Sequence, residues 1–229
     1  MDSPTFLSVF GETLSNATAI AISPLPIVAV ILMLISPKAR SLGPAFLVGW
    51  VVGIAAATTV FTLLAQILPG RGSESSGGII AAIAQLVFGL ALLALAVKQW
   101  RSRPLPDEEP VLPSWMSGID SMSALAAAGL GLALAAVNPK NFLMAASAGA
   151  IIGRGELGAG VTVAAVASFT LVAALTALVP VLFTLVAPQP AAAVLNPIRR
   201  WLSANNATIM AVVFALMGAA LLGQGLASF

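Results

Sequence analysis

Apolar residues fill this chain in six long runs, at about Thr5 to Ile35, Gly43 to Leu68, Gly78 to Trp100, Ser121 to Ile152, Gly158 to Val186 and Asn205 to Leu226. Polar residues gather between the runs. Each run is long enough to cross a hydrocarbon core about 30 Å thick, which takes about 20 helical residues. The pattern predicts an all-α polytopic membrane protein with six transmembrane helices. Turn and breaker residues punctuate the intervals: Ser36-Pro37, Pro69-Gly70-Arg71-Gly72, Gly153-Arg154-Gly155 and Pro188-Gln189-Pro190. The longest interval, residues 101–117, sets Asp107-Glu108-Glu109 among four prolines. That composition reads as a solvated linker, and it separates a first three-helix unit, residues 1–100, from a second, residues 118–229.

The first and fourth runs are too long to be simple spans. They hold 31 and 32 residues, and an uninterrupted helix of that size would extend roughly 46 to 48 Å. Each carries a proline signal near its middle, Ser23-Pro24-Leu25-Pro26 in one and Asn138-Pro139-Lys140-Asn141 in the other. Both signals place a favoured N-cap residue before proline, the order that starts a helix rather than continuing one. The apolar pieces on either side are too short to cross alone, so both helices are expected to break at membrane depth. Ser23-Pro24 and Asn138-Pro139 lie 115 residues apart, and so do Leu42-Gly43 and Leu157-Gly158. A shared offset points to a duplicated unit. Because three spans are an odd number, the second copy enters from the opposite face, giving the inverted repeat common in secondary transporters.

Charge adds orientation. Only 8% of residues are charged against 59% hydrophobic, where a soluble domain has roughly 25% charged. Lys38, Arg40, Lys98, Arg101, Arg103, Arg199 and Arg200 fall on one side of the predicted membrane, and Arg71 and Arg154 on the other. The bias puts the 101–117 linker in the cytoplasm and both termini outside. Trp100 and Trp201 sit beside the cytoplasmic cations, at the level indoles favour. No Lys or Arg precedes Lys38, so a cleavable signal peptide is not expected and the first run is read as part of the mature protein. The net charge of +2 is dispersed between spans, which gives nucleic-acid binding little support. Cysteine and histidine are both absent, which removes disulfides, thiol relays and the usual metal ligands. No cofactor or metal is expected.

The candidate chemistry gathers at the breaks. An interrupted helix in lipid requires protein or a water-filled cavity to cover the gap, so the two breaks should face each other. Half-helices beginning at Pro24 and Pro139 would aim the positive ends of their dipoles at the midplane, favouring an anion. Lys140 sits in the first turn of such a half-helix, against the dipole. One reading makes Lys140 the binder of an anionic group such as phosphate, sulfate or carboxylate, with Asn138, Asn141 and Ser23 as hydrogen-bonding partners, Pro24, Pro26 and Pro139 shaping the breaks, and Asn16 nearby. The other makes Lys140 structural, paired with Glu12 or with backbone carbonyls, or snorkelling to an interface. Glu12, the acidic residue that falls inside a span, either carries a coupling proton or is interfacial and solvated. Asn16, Gln66, Gln85, Thr58, Thr59 and Ser168 either line a cavity or bond between helices. Gly49 with Gly53, and Gly149 with Gly153, have the spacing that lets helices approach closely, which reads as packing.

Pro24-Leu25-Pro26 and Asn138-Pro139-Lys140 resemble the breaks in the first and fourth helices of the LysE-type exporter superfamily. Ser36-Pro37-Lys38-Ala39-Arg40 and Asn138-Pro139-Lys140-Asn141-Phe142 narrow the resemblance to the sulfolipid- and glycopeptidolipid-addressing family of mycobacteria, whose six-helix layout matches the whole chain. The resemblance implies export or flipping of amphipathic cell-envelope glycolipids across the plasma membrane, alongside lipid-synthesis and export machinery, with ion-gradient coupling and no ATP. Leu25 stands where amino-acid exporters often have Gly, and the lack of Cys sets aside the thiol-relay branch. Two other readings remain open: a small-solute exporter, which needs an enclosed polar cavity, and, in a different class, an accessory protein that stabilises a lipid-synthesis complex without moving substrate. A membrane enzyme is disfavoured, because no carboxylate pair or nucleophile lies at depth beside an activator. The oligomeric state is left open.

Overall fold

The computed structural model describes residues 5–67, 77–103, 118–119, 121–155 and 157–226. Among these the regular elements are eight helices: α1 (Phe6–Ala21), α2 (Pro24–Leu34), α3 (Ala39–Ile67), α4 (Gly77–Arg101), α5 (Ala124–Ala136), α6 (Pro139–Arg154), α7 (Ala159–Val186) and α8 (Pro188–Leu226). Both expected breaks are present, at Ile22-Ser23 and Val137-Asn138. The Pro69-Gly70-Arg71-Gly72 turn and the Asp107-Glu108-Glu109 linker lie outside the described residues.

By length and hydropathy three helices can cross a membrane, α3, α7 and the Ala204–Gly223 part of α8. The pair α1 and α2, bent by 56° at its break, makes a fourth. The six-span expectation counts α4 and the α5–α6 pair in addition. Three boundaries differ from the sequence reading, the first being that α6 runs on through Gly153 and Arg154, which the sequence places in a turn. Helix α3 starts at Ala39, so Arg40 stands in its first turn rather than in a loop. Pro188-Gln189-Pro190 opens α8 instead of forming a loop, which places Arg199, Arg200 and Trp201 inside a helix. The reason is the one that starts α2 and α6: first-turn amides have no helical partner, so prolines there forfeit nothing.

The chain divides into two compact units, Met1–Gly70 with Pro113–Arg199, and Arg71–Leu112 with Arg200–Phe229. This grouping is by contact, unlike the division at the 101–117 linker drawn from the sequence. Within the larger unit, α5 and α6 run in succession along α3, in the same direction. Gly49 and Gly53 of α3 meet Ala128, Leu132 and Ala135 of α5, and Gly149 and Gly153 of α6 meet Thr58 and Thr62 of α3. A methyl group added at Gly49 would run into the carbonyl oxygen of Ala128, so the backbones touch there. Both glycine pairs are packing devices. Helix α1 lies against α6 and α7: Val9 shares a buried cluster with Ile152 of α6 and Ala165 of α7. In the smaller unit, α4 and the end of α8 pack antiparallel, with Gly89 against Gly218 and Leu222, and Gly225 against Leu86 and Ala82. There the guanidinium of Arg103 lies 4.0 Å from the Trp100 ring centroid.

Candidate functional site

Proline dictates the local geometry of both breaks. Ser23 and Asn138 have extended backbones, with ψ of 113° and 116°, as a residue before proline prefers. Pro24 and Pro139 have no N–H to return to the preceding turn. The last carbonyls of α1 and α5 therefore need other donors, and in lipid they cannot turn to water.

Those donors can be traced at the first break. The Thr18 carbonyl takes the Ile22 amide at 3.0 Å and Ile20 takes the Ser23 amide at 3.1 Å. Ala19 accepts from Lys140 Nζ at 2.6 Å, and Ala21 accepts from the Thr176 hydroxyl of α7 at 2.6 Å. At the second break the Ala133 carbonyl takes the Val137 amide at 2.7 Å. Leu134 takes Asn141 Nδ2 at 3.1 Å. Asn138 caps its own helix, its Oδ1 accepting from the Lys140 amide at 3.1 Å. Ser23 does not cap α2. Its hydroxyl donates to Asn141 Oδ1 at 2.9 Å and ties one break to the other.

Lys140, Asn141 and Ser23 are each only 1% exposed. The expectation that the two breaks face each other holds. The lysine charge has a physical counterpart, because Ala19 belongs to the last turn of α1 and carries the negative end of that helix dipole. Lys140 thus opposes the dipole of the helix it starts and complements that of the helix it touches. Of the two pairings foreseen for it, the backbone carbonyl is realised; Glu12 is exposed on α1 and is not its hydrogen-bond partner. Pro24 and Pro26 are buried, Asn138 is half-buried and Pro139 is exposed. Asn16 stands a turn before Ala19 and donates to the Ser147 hydroxyl at 3.2 Å. Thr176 and Ser147 belong to this network and were not singled out from the sequence. A hydroxyl within an apolar run was the signal, too common in membrane helices to act on.

The Ser23–Asn141 bond can be measured. A double-mutant cycle of Ser23→Ala and Asn141→Ala, read by unfolding in detergent, should give a coupling of about 0.6 kcal/mol and no more than about 1.7. A coupling of zero would mean that the hydroxyl has another partner.

A second feature lies between α3 and α7, a cavity of about 830 Å³. Its wall is mostly Val, Leu and Ala, with Thr59 and Gln66 from α3 among the few polar residues. The other scattered polar residues do not join it. Among the described residues Thr58 is buried with its hydroxyl unbonded and the Gln85 carbonyl oxygen of α4 has no partner, while Ser168 donates to the Ala165 carbonyl of its own helix.

Long apolar helices, a bent span and a buried polar bridge between two helix breaks define a helical protein of the multi-pass membrane type. A family profile described as Sap, sulfolipid-1-addressing protein, matches residues 14–227, and the chain belongs to that family. No curated protein and no solved structure matches the chain.

Proposed function

We propose that this protein exports or flips amphipathic cell-envelope lipids with an anionic or polar headgroup across the plasma membrane, and that it catalyses no chemical conversion and uses no cofactor. In this reading it is a LysE-type transporter of six spans, arranged as two inverted three-helix repeats. The linker 101–117 is cytoplasmic and both termini are extracytoplasmic. Its partners are membrane lipids and the machinery of envelope-lipid synthesis and export. The observation that carries the reading is the pair of breaks bridged side by side by Ser23 and Asn141 at 2.9 Å, because buried polar interruptions mark substrate sites in membrane transporters. Reciprocal packing supports the repeat: α3 contacts α5 and α6, while α7 contacts α1 and α2. Family membership supports the lipid substrate. Lys140 receives the headgroup, with Asn138, Asn141 and Ser23 beside it; Glu12 carries the coupling proton.

Reconstitution tests this. In phosphatidylcholine vesicles bearing a headgroup-labelled fluorescent lipid, dithionite should quench inner-leaflet probe only when the protein is present, and Lys140→Ala and Lys140→Gln should lose that activity. Equal translocation by all three proteins removes Lys140 from headgroup binding. Absence of translocation by the unsubstituted chain favours the accessory role, for which the occupied ammonium of Lys140 speaks; its signature is failure of the synthesis complex to assemble on deletion.

A further inference from the structure

The cavity between α3 and α7 is separate in chemistry from the polar bridge. Its wall runs on α3 from Val51 to Gln66 and on α7 from Ala159 to Leu178. At 1.5 Å per residue these stretches measure about 22 and 28 Å. A single leaflet contributes about half of a hydrocarbon core roughly 30 Å thick, so the groove reaches beyond one leaflet. Both helices that form it are long and apolar enough to span, which puts its mouth in hydrocarbon.

The wall is drier than its composition suggests. The hydroxyls of Thr62 and Thr170 donate to the carbonyls four residues earlier, Thr58 and Val166, both at 2.8 Å. Thr162 donates to the Leu157 carbonyl at 3.3 Å. Three threonines of the wall thereby spend their hydroxyl hydrogens within the protein, and what they have left to offer a ligand is methyl and an acceptor oxygen, with no donor. No charged side chain lines the groove among the described residues. The rim is open, with Leu63 50%, Val163 68% and Leu171 56% exposed. An enclosed polar chamber for a small solute is the opposite of this surface.

We infer that the groove between α3 and α7 is a binding site for the hydrocarbon chain of the transported amphiphile, holding it across the membrane midplane. The inference rests on the proposed lipid transport and names where the apolar part of that substrate lies. A volume of about 830 Å³ falls within the range of sites that enclose drug-sized ligands. Ordinary boundary lipid of one leaflet would fill only part of such a length.

The test uses the full chain in vesicles of phosphatidylcholine and phosphatidylglycerol. A trace of phosphatidylglycerol carries a photoactivatable diazirine in mid-chain, and adducts are mapped by mass spectrometry. Leu63, Val163 and Leu171 should be labelled more heavily than Val52, Val60, Val179 and Leu182, which are exposed on the same two helices outside the groove. Filling the groove with an indole, by Ala167→Trp at an exposed wall position, should lower the excess about tenfold, the loss expected when roughly two methylenes lose their contacts. Translocation should fall with it. Equal labelling on and off the groove in the unsubstituted chain overturns the inference, since it describes boundary lipid only. The two failures are distinguishable: groove labelling without translocation sinks the transport reading alone, and translocation with even labelling sinks the groove alone.

Discussion

Replacing Lys140 with Met should destabilise the folded protein by about 1–3 kcal/mol, the penalty for leaving unpaired the acceptor of half-buried Ala19 in an apolar helix. Methionine is of similar length and apolar, so the change removes the donor more than the packing. One larger effect needs weighing against that loss. Lysine at mid-bilayer costs about 2.5 to 3.5 kcal/mol to insert, and methionine would recover it. That recovery, however, applies to the inserted but unpacked helices as well as to the folded bundle, so most of it cancels in the packing equilibrium. What remains is the Ala19 carbonyl, which loses its 2.6 Å donor and has no helical amide to replace it. Unfolding in mixed detergent micelles reads the difference. Lys140→Gln keeps an N–H donor without the charge and should recover part of the stability. If Lys140→Met were as stable as the parent chain, the carbonyl would have found another donor.

Substituting Gly49 should have an effect as large for a different reason. A methyl group there meets the Ala128 carbonyl of α5, and one at Gly131 meets the backbone of Phe46 and Trp50 from the other side of the same seam. Backbone is what must move, so Gly49→Ala and Gly131→Ala should each cost about 1–3 kcal/mol as overpacking does. Because both force the same two helices apart, the double substitution should cost less than the two added. Gly129 lies on the same helix with nothing within 4 Å of an added methyl. Gly129→Ala should therefore be neutral, or stabilising by up to about 1 kcal/mol through helix propensity. Equal responses at Gly129 and Gly131 would show that the seam is looser than the backbone contact implies.

These two sites mark how far the sequence can be read. The breaks were legible because Ser-Pro and Asn-Pro are chemical instructions: an extended residue, then a ring with no amide hydrogen. The glycine pairs were legible as close-packing positions, though not which helix each would meet, since spacing along one chain segment says nothing of its neighbour. The partner of Lys140 was not readable for a related reason. A backbone carbonyl has no residue signature, and Ala19 presents one only because Pro24 has no amide for Ile20, so the Ser23 amide turns to Ile20 and leaves Ala19 without it. The start of α8 was misread because Pro188 and Pro190 stop a helix if they fall inside it and suit it if they fall in its first turn. The groove could not be foreseen, since Thr162 and Thr170 look polar until their hydroxyls are found bonded to their own helices.

The bridge between the breaks is lopsided, and that bears on ancestry. Ala19 and Leu134 are 115 positions apart, so on the proposed duplication they are equivalent carbonyls, and both are satisfied from one half, by Lys140 and Asn141. The first half has Leu25 and Pro26 at those places, neither of which offers a side-chain donor. Two copies of the first half would leave both carbonyls bare, and two copies of the second would bring a pair of ammonium groups together in lipid. On that duplication, a self-assembling ancestor would have needed other residues at these places, and neither present half would serve alone.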